Sequence, residues 1–367
     1  MISYFKAPKS YTGEDMIELS VHGGSAVIQK LSKVFNETKL CRPAEQGEFT
    51  RRAFENNKLD LIQVESIADL INSETDAQRE QALEHLGGGL SKKIKKWSKQ
   101  IKKILANVEA AIDFPEDEIP KGIIKNNKEQ TKNIIKELIY FLNDNNYGER
   151  IRSGFKISIV GKPNTGKSSL INYLAKREIA IVSKIPGTTR DIIELRYDIK
   201  GLPVTFYDTA GLRKTKRKIE KLGVNKAIKS SKNSNINLVL IKNSKEIKDY
   251  QKKLNNIIFA FSKNDILPNR IVSKESISFS SKTGKGINEL LDILHLKLIS
   301  QNNFIENIHV SRERQRKMLE NCLKCLKRSI NIEQLDIMAE EIRHSLIYLS
   351  KIIGNYDIEE ILDIIFD

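Results

Sequence analysis

The sequence predicts an α/β domain inserted into an α-helical domain, with a small α+β domain ahead of both. A glycine-rich phosphate-binding loop follows an apolar, β-branched run, and later apolar runs lead into polar motifs in a set order. Segments with helical periodicity lie on both sides of this region. Because insertion is well tolerated where chain ends lie close together, we expect the α/β domain at 152–299. The helical domain then comprises 76–151 and 300–367, and the α+β domain comprises 1–75.

The phosphate-binding loop is the strongest local signal. Residues 161–168 read Gly-Lys-Pro-Asn-Thr-Gly-Lys-Ser, which matches the pattern G-x-x-x-x-G-K-[ST]. The run at 157–160 predicts a buried strand before it, and 168–174 predict a helix after it. Strand, loop and helix N-terminus together direct backbone N–H groups at a phosphate. We expect Lys167 to reach the β- and γ-phosphates and the Ser168 hydroxyl to ligate Mg²⁺.

Two segments that follow have the composition of γ-phosphate sensors. Residues 186–191 are typical of a mobile switch loop, in which Thr189 completes the Mg²⁺ shell when a γ-phosphate is present. Residues 208–211 read Asp-Thr-Ala-Gly, which places Asp208 near the metal and the Gly211 N–H against the γ-phosphate. Their order after the phosphate loop is the one that a GTP-binding domain requires.

The base is predicted to be read by residues 262–265, Ser-Lys-Asn-Asp, after the buried run at 257–261. The Asp265 carboxylate can accept two N–H bonds from the guanine edge, which adenine cannot supply, so it selects GTP over ATP. Residues 280–282 supply backbone contacts to the same base. The motif normally reads Asn-Lys-x-Asp, and we expect Ser262 to be too short for the contact that Asn makes. That would cost about 1 kcal/mol of affinity, with specificity preserved by Asp265.

Together these motifs predict the residues that contact GTP. The predicted set is Asn164, Thr165, Gly166, Lys167, Ser168, Ser169, Ser183, Thr188, Thr189, Asp208, Thr209, Ala210, Gly211, Ser262, Lys263, Asp265, Ser280, Ser281 and Lys282. Each piece alone is typical of a surface turn, but all of them in order indicate a GTPase.

Hydrolysis needs a device other than the usual glutamine. In Ras-like enzymes a Gln after Asp-Thr-Ala-Gly orients the attacking water, but this chain has Leu212 there. With Asn164 in its phosphate loop, the chain resembles GTPases activated by a monovalent cation, in which K⁺ supplies the charge of an arginine finger. That resemblance implies the K⁺ ligands Asn164, Ser183, Ile185 and Thr188. Glu220 is either the residue that holds the water or a solvated helix charge. With Lys167 and Asp208 it completes the predicted catalytic set.

Helical periodicity covers most of the remaining chain. We expect β-like runs near 16–21, a helix near 24–36, and one long amphipathic helix over 83–112. Further helices are predicted at 128–143, 313–331, 335–353 and 358–366. The polar face of the long helix is rich in lysine. Both a solvated face and an RNA-facing stripe explain its members, which are Lys92, Lys93, Lys95, Lys96, Lys99, Lys102 and Lys103.

Composition narrows the function classes. The net charge of +15 fits a polyanionic partner such as RNA, although abundant Lys, Ile and Asn are also typical of an AT-rich genome. No apolar run is long enough to span a membrane, the N-terminus lacks a signal-peptide pattern, and we therefore expect a cytoplasmic protein. Three cysteines form no disulfide framework. Cys322 and Cys325, three apart on a predicted helix, are expected to be core residues rather than a zinc site.

Motifs outside the GTP-binding segment resemble the tRNA modification GTPase family known as MnmE or TrmE. They are Tyr-Thr-Gly-Glu-Asp at 11–15, Val-His-Gly-Gly at 21–24, Gly-Glu-Phe-Thr-Arg-Arg-Ala-Phe at 47–54 with Lys-Leu-Asp-Leu at 58–61, and Glu-Ala-Ala-Ile-Asp-Phe-Pro at 109–115. The resemblance covers nearly the whole chain. It implies a Ras-like P-loop GTPase domain inserted in an α-helical domain, preceded by a truncated α+β domain of the folate-binding type.

The resemblance also implies an activity and partners. Family members hydrolyse GTP and, with a flavoprotein of the MnmG type, install an aminomethyl-type group at C5 of the wobble uridine of certain tRNAs. A reduced folate, 5,10-methylene- or formyl-tetrahydrofolate, supplies the one-carbon unit. Carried over, Glu18 and Lys58 would contact the folate, and the chain would form a homodimer through its N-terminal and G domains. No membrane contact is expected.

The chain departs from the family pattern at both ends. Ten residues precede Tyr11, where the family has a longer glycine-rich segment with additional strands. The chain stops at Ile-Ile-Phe-Asp instead of Cys-Ile-Gly-Lys. Both pieces contribute to the folate pocket in the family, so two alternatives stay open. One is a GTP-regulated RNA-binding switch of the ribosome-assembly type, as in the Era or Der families, and the other is a remnant GTPase without modification activity.

Overall fold

The computed structural model describes residues 1–114, 122–177, 180–181, 193–208, 234–243, 246–263, 265, 276–300 and 308–354. The chain divides into two compact units. The first contains Met1–Ile71, Ala82–Leu138 and Lys317–Asp367, and the second contains Asn72–Gln81 and Ile139–Arg316. The predicted domain limits, which also separate a small N-terminal domain, stay a prediction. In the described ranges, no helix is long and apolar enough to cross a membrane.

The first unit opens with a two-stranded antiparallel sheet, followed by helices. The strands are β1 (Ile2–Phe5) and β2 (Met16–Leu19), with Ile2 opposite Leu19. The helices that follow this sheet along the chain are α1 (Ser25–Thr38), α2 (Glu48–Glu55), α3 (Leu61–Ile71), α4 (Asp76–Leu86), α5 (Gly89–Asp113) and α6 (Ile123–Leu142). The predicted helix at 24–36 agrees with α1, whereas α6 begins five residues before the predicted 128.

The long helix predicted over 83–112 is wrong as a single element. It is two helices, because the chain breaks between α4 and α5 at Gly87 and Gly88, and Gly88 has φ of 83°. A left-handed residue ends a helix, and glycine adopts that conformation without a steric penalty. The apolar spacing continued across the break, which is why periodicity alone joined the two segments.

Helix α5 presents its apolar face to the core of the first unit. The residues buried on it are Leu90, Ile94, Trp97, Ile101, Ile104, Leu105 and Val108. The indole Nε1 of Trp97 donates to the Glu137 carboxylate on α6 at 2.9 Å, and Asn107 Nδ2 donates to Asn127 Oδ1 on the same helix at 3.0 Å. Since the contacts run forward along α5 and backward along α6, the two helices are antiparallel.

The second unit is built around a seven-stranded sheet. Its elements are α7 (Tyr147–Ser153), β3 (Phe155–Gly161), α8 (Lys167–Ala175), β4 (Ala180–Ile181), β5 (Ile193–Ile199), β6 (Leu202–Asp208), β7 (Ile236–Ile241), α9 (Ile247–Gln251), β8 (Ile257–Phe261), β9 (Ser276–Ser278) and α10 (Ile287–Ser300). The order across the sheet is β4-β5-β6-β3-β7-β8-β9. The strands β6, β3, β7, β8 and β9 run parallel to one another. Strand β5 is antiparallel to β6, and β4 is antiparallel to β5. Every residue of β7 is buried, as expected for a central parallel strand covered on both faces.

Two helices complete the described chain, α11 (Glu313–Ser329) and α12 (Leu335–Ile353). The first agrees with the predicted 313–331 to within two residues, and the second matches the predicted 335–353. In the first unit α12 packs against α5. The helix predicted at 358–366 lies outside the described residues.

A buried ionic cluster joins the two places where the chain enters and leaves the sheet. Arg316 donates to Asp144 Oδ1 at 2.7 Å, to Glu149 Oε1 at 2.6 Å and to the Leu142 carbonyl oxygen at 3.1 Å. His309 Nδ1 lies 3.7 Å from Asp144 Oδ2. Burial raises the pKa of Asp144, but the proximity of His309 and Arg316 outweighs it, so that this pKa lies below its usual value. We call Asp144, Glu149, His309 and Arg316 the neck cluster.

Breaking the neck cluster should destabilise the second unit strongly. Replacing Arg316 by alanine leaves two acids without their main partner, of which Asp144 is buried, and should cost about 3–5 kcal/mol in the free energy of unfolding. The stabilisation from Asp144 is present above the usual pKa of an aspartate and is lost as pH falls through its lowered pKa. The difference between wild type and variant should therefore shrink in acid.

Urea unfolding followed by circular dichroism measures this effect. Arg343→Ala is the matched control, because Arg343 also binds two acids, Glu109 and Glu340, but its side chain is 41% exposed. Exposed pairs contribute at most about 1 kcal/mol. Equal losses for the two variants would contradict a special role for the neck cluster.

Candidate functional site

The phosphate-binding and base-reading motifs meet at one edge of the seven-stranded sheet. In the register, Ile159 of β3 lies beside Asp208 of β6, and Gly161 lies beside Leu240 of β7. Parallel strands place their carboxyl ends at the same edge, so the segments after β3, β6, β8 and β9 start there together. Ligands of open α/β sheets bind in this crevice.

The phosphate loop is held in shape by its own contacts. Asn164 and Gly166 have positive φ of 60° and 89°, and Thr165 is buried with its hydroxyl donating to the Lys162 carbonyl oxygen at 2.8 Å. A Cβ at Gly161 would overlap the carbonyl oxygen of Leu240, so only glycine permits this approach of loop and strand. The loop therefore keeps its curvature through backbone geometry and the Thr165 hydroxyl.

Lys167 begins α8 and lies inside the loop. Its side chain is largely buried, and Nζ donates to the Gly161 carbonyl oxygen at 2.7 Å and to that of Lys162 at 2.8 Å. Ser168 and Ser169 follow on the first turn of α8 and are exposed. A helix N-terminus with a lysine ammonium beside it concentrates positive charge, which suits a polyphosphate.

Ser262 contacts the phosphate loop in spite of its short side chain, and its effect on guanine affinity stays a prediction. Its hydroxyl donates to the Thr165 carbonyl oxygen in the phosphate loop at 2.6 Å. A Cβ at Gly166 would lie 3.1 Å from the Ser262 oxygen, so the missing side chain at Gly166 leaves room for the short serine. The hydrogen bond links the base-reading segment to the phosphate-binding one.

Asp265 is oriented by the loop that follows β9. The hydroxyl of Ser280, which is 1% exposed, donates to Asp265 Oδ1 at 2.8 Å and accepts the N–H groups of Lys282 and Thr283 at 3.3 Å. Asp265 itself is exposed. The sequence predicted backbone contacts from 280–282, but it did not predict this use of the Ser280 side chain, because a single serine in a loop has no spacing signature.

Several predicted residues lie outside the described part of the chain. They are Ser183, Ile185, Thr188, Thr189, Thr209, Ala210, Gly211, Leu212 and Glu220. For Asp208 the structure describes the backbone at the end of β6 and not the side chain. The catalytic and metal-ligating roles assigned to these residues therefore stay predictions.

The residues predicted to contact a folate have structural partners in the first unit. Lys58 Nζ donates to the Pro8 carbonyl oxygen at 2.8 Å, and Glu18 lies exposed on β2 opposite Ser3. Glu48 accepts two hydrogen bonds from Arg42, one from the Glu45 backbone N–H and one from Arg52, and these donors lower the pKa of Glu48 to about 2. Ion pairing within the first unit thus explains part of the motif at 47–54, and folate binding stays a prediction.

The cysteines of the C-terminal segment are buried, as predicted. Cys322 is 0% exposed and Cys325 is 3% exposed, and burial raises the pKa of both thiols. Among the described residues, no group of three or more His, Cys, Asp or Glu side chains is placed to hold a metal ion.

Comparison with known proteins gives consistent matches along the chain. A family profile described as the MnmE helical domain matches residues 61–367, and one described as the N-terminus of GTP-binding protein TrmE matches residues 1–58. The tRNA modification GTPase MnmE of Pelagibacter ubique is 42% identical, with 100% of this chain and 85% of that protein covered. The corresponding protein of Rickettsia bellii is 40% identical over 100% and 85%, and that of Parvibaculum lavamentivorans 39% over 99% and 84%.

Solved structures match the chain only weakly. Era of Aquifex aeolicus bound to GDP and AlF4⁻ is 21% identical, covers 49% of this chain with 68% of its own, and has a TM-score of 0.31.

Removal of the Ser262 hydroxyl should weaken nucleotide binding. Ser262→Ala deletes the hydrogen bond to Thr165, which should cost about 1 kcal/mol and raise the Kd for GTP roughly fivefold. Calorimetric titration with GDP and a non-hydrolysable GTP analogue measures the change. Ser300→Ala, at an exposed helix end, is the matched control. An unchanged Kd in Ser262→Ala would show that the bond does not support binding.

Proposed function

The chain belongs to the MnmE family of tRNA modification GTPases, and from this premise we propose that it uses GTP hydrolysis to drive C5 modification of the tRNA wobble uridine. The observation that carries the proposal is the meeting of phosphate-binding and base-reading segments at one sheet edge, linked by the Ser262–Thr165 and Ser280–Asp265 hydrogen bonds. The first bond spans 97 residues and the second 15 residues of the chain.

We assign binding of the nucleotide to two groups of residues. The N–H groups at 164–169 and the Lys167 ammonium would hold the β- and γ-phosphates, since Lys167 already lies within the loop. The Asp265 carboxylate, fixed by Ser280, would accept hydrogen bonds from the guanine edge. The geometry supports this assignment. Because Ser280 already orients the Asp265 carboxylate, little conformational entropy is lost when the carboxylate binds a base.

Two cations belong to the proposed mechanism, and the described oxygens suit them. Ser168 offers a hydroxyl at the start of α8 for Mg²⁺, and Asn164 offers an exposed amide oxygen at the crest of the phosphate loop for K⁺. Thr189 would complete the ligand set of Mg²⁺, and Ser183, Ile185 and Thr188 would complete that of K⁺. When bound, these cations supply positive charge against the developing charge of phosphoryl transfer. Asp208 and Glu220 are the proposed metal-supporting and water-holding residues.

The modification step needs partners outside this chain. We propose tRNA as the substrate, a flavoprotein of the MnmG type as the partner, and a reduced folate as the one-carbon donor. A homodimer and a cytoplasmic location complete the proposal. The ribosome-assembly alternative has less support, because the segments outside the sheet match the MnmE helical and TrmE N-terminal profiles.

Potassium should accelerate hydrolysis through Asn164. Steady-state GTP hydrolysis in KCl should exceed that in NaCl at equal ionic strength by at least about tenfold, because a fixed charge stabilises the transition state. Asn164→Ala should remove this difference while binding of a GTP analogue stays nearly unchanged. Asn172→Ala, an exposed asparagine on α8, is the control. Equal wild-type rates in both salts would exclude K⁺ activation.

Asp265 should discriminate guanine by its exocyclic amine. Inosine triphosphate lacks that amine, so wild type should bind it roughly ten times or more weakly than GTP. Asp265→Ala should weaken GTP binding and abolish the preference, whereas Asp249→Ala, an exposed acid on α9, should keep it. Competition against a fluorescent GTP analogue measures both affinities. A preference that survives in Asp265→Ala would assign base selection to another residue.

A further inference from the structure

The solvent face of α5 is a stripe of lysines opposite its buried face. With about 100° per residue, the five exposed lysines fall within an arc of about 100° on the side away from the core, and they extend for about 16 Å along the axis. We call these residues the lysine stripe; they are Lys92, Lys95, Lys96, Lys99 and Lys103. The buried apolar side chains of α5 pack in the core on the opposite side of the helix, so the stripe itself consists only of lysines.

The stripe is unfavourable for the helix that carries it. No acidic residue occurs between Glu84 and Glu109, although the chain has 47 acids in 367 residues. Like charges three or four residues apart repel, and the first turn of α5 carries lysine where a helix dipole favours acids. A face that only solvates a helix usually mixes both signs of charge. The excess of one sign therefore points to an external polyanion.

Internal ion pairs neutralise only part of the stripe. Lys95 lies 3.6 Å from Asp60, and Lys96 lies 3.4 Å from Glu137. In the described ranges, no ion pair joins Lys92, Lys99 or Lys103 to an acid. These three lysines are therefore the part of the lysine stripe whose positive charge is least neutralised.

We propose that the lysine stripe of α5 binds the phosphate backbone of tRNA, an inference that rests on the proposed function. Lysine ammonium groups are point charges that contact phosphates without reading sequence, and a line of them follows a backbone. A membrane surface is disfavoured because peripheral binding needs exposed apolar side chains among the basic ones, and the large apolar side chains between Leu90 and Val108, alongside the stripe, are buried. The stripe thus positions the tRNA, while base recognition lies elsewhere.

The test neutralises together, in the full chain, the three lysines that have no ion pair in the described ranges. Lys92→Gln, Lys99→Gln and Lys103→Gln should raise the Kd for an unmodified tRNA transcript with a wobble uridine about ten- to a hundredfold near 0.1 M salt. They should also lower the slope of log Kd against log[KCl] by about 2, because each phosphate contact releases counterions. The corresponding lysine-to-arginine triple variant should keep wild-type affinity.

A matched variant removes the same charge elsewhere. Lys248, Lys252 and Lys253, exposed on the second unit, are changed to Gln, which should leave both Kd and slope unchanged. GTP hydrolysis without tRNA and thermal melting should be intact in every variant. If the two glutamine triple variants change the Kd equally, or if the α5 triple variant does not change it, the lysine-stripe inference is wrong while the proposed function stands. Wild-type protein that binds no tRNA while it hydrolyses GTP would overturn the proposed function as well.

Discussion

The two ends of the segment that forms the sheet must meet, and Arg316 holds them together. It is buried and contacts Asp144, Glu149 and the Leu142 carbonyl oxygen, all of which precede the first strand of the sheet. Gly148 allows this closeness, because a Cβ there would overlap the carbonyl oxygen of Val310. A buried guanidinium with several acceptors defines one geometry, which closes the loop of chain from which the nucleotide site is built.

The candidate nucleotide site depends on hydrogen bonds between loops. The order of the strands brings these loops to one edge of the sheet but does not connect them to one another. Ser262 contacts the phosphate loop and Ser280 contacts Asp265, so hydrogen bonds link the phosphate loop, the segment at 262–265 and the loop after β9. Each bond is short, and Ser280 is buried. Prior ordering of this kind lowers the entropy that a ligand must remove.

Helix α5 differs in chemistry between its two faces. Its apolar face packs in the first unit, and its opposite face carries lysines at a cost to helix stability. The glycines at 87 and 88 set where this helix begins. If the stripe binds tRNA, the burial of the apolar face provides the rigidity with which the charges are presented.

From the sequence alone, the fold class, the family and the motifs around GTP could be predicted, because these are carried by residue type, spacing and order. The helix at 335–353 and the burial of Cys322 and Cys325 were predicted for the same reason. Tertiary structure decided what depends on distance between remote residues. The reach of the Ser262 hydroxyl to Thr165, the use of Ser280 to orient Asp265 and the closure by Arg316 are contacts over more than ten positions in the chain. Periodicity cannot report them, since it describes only neighbours along one element.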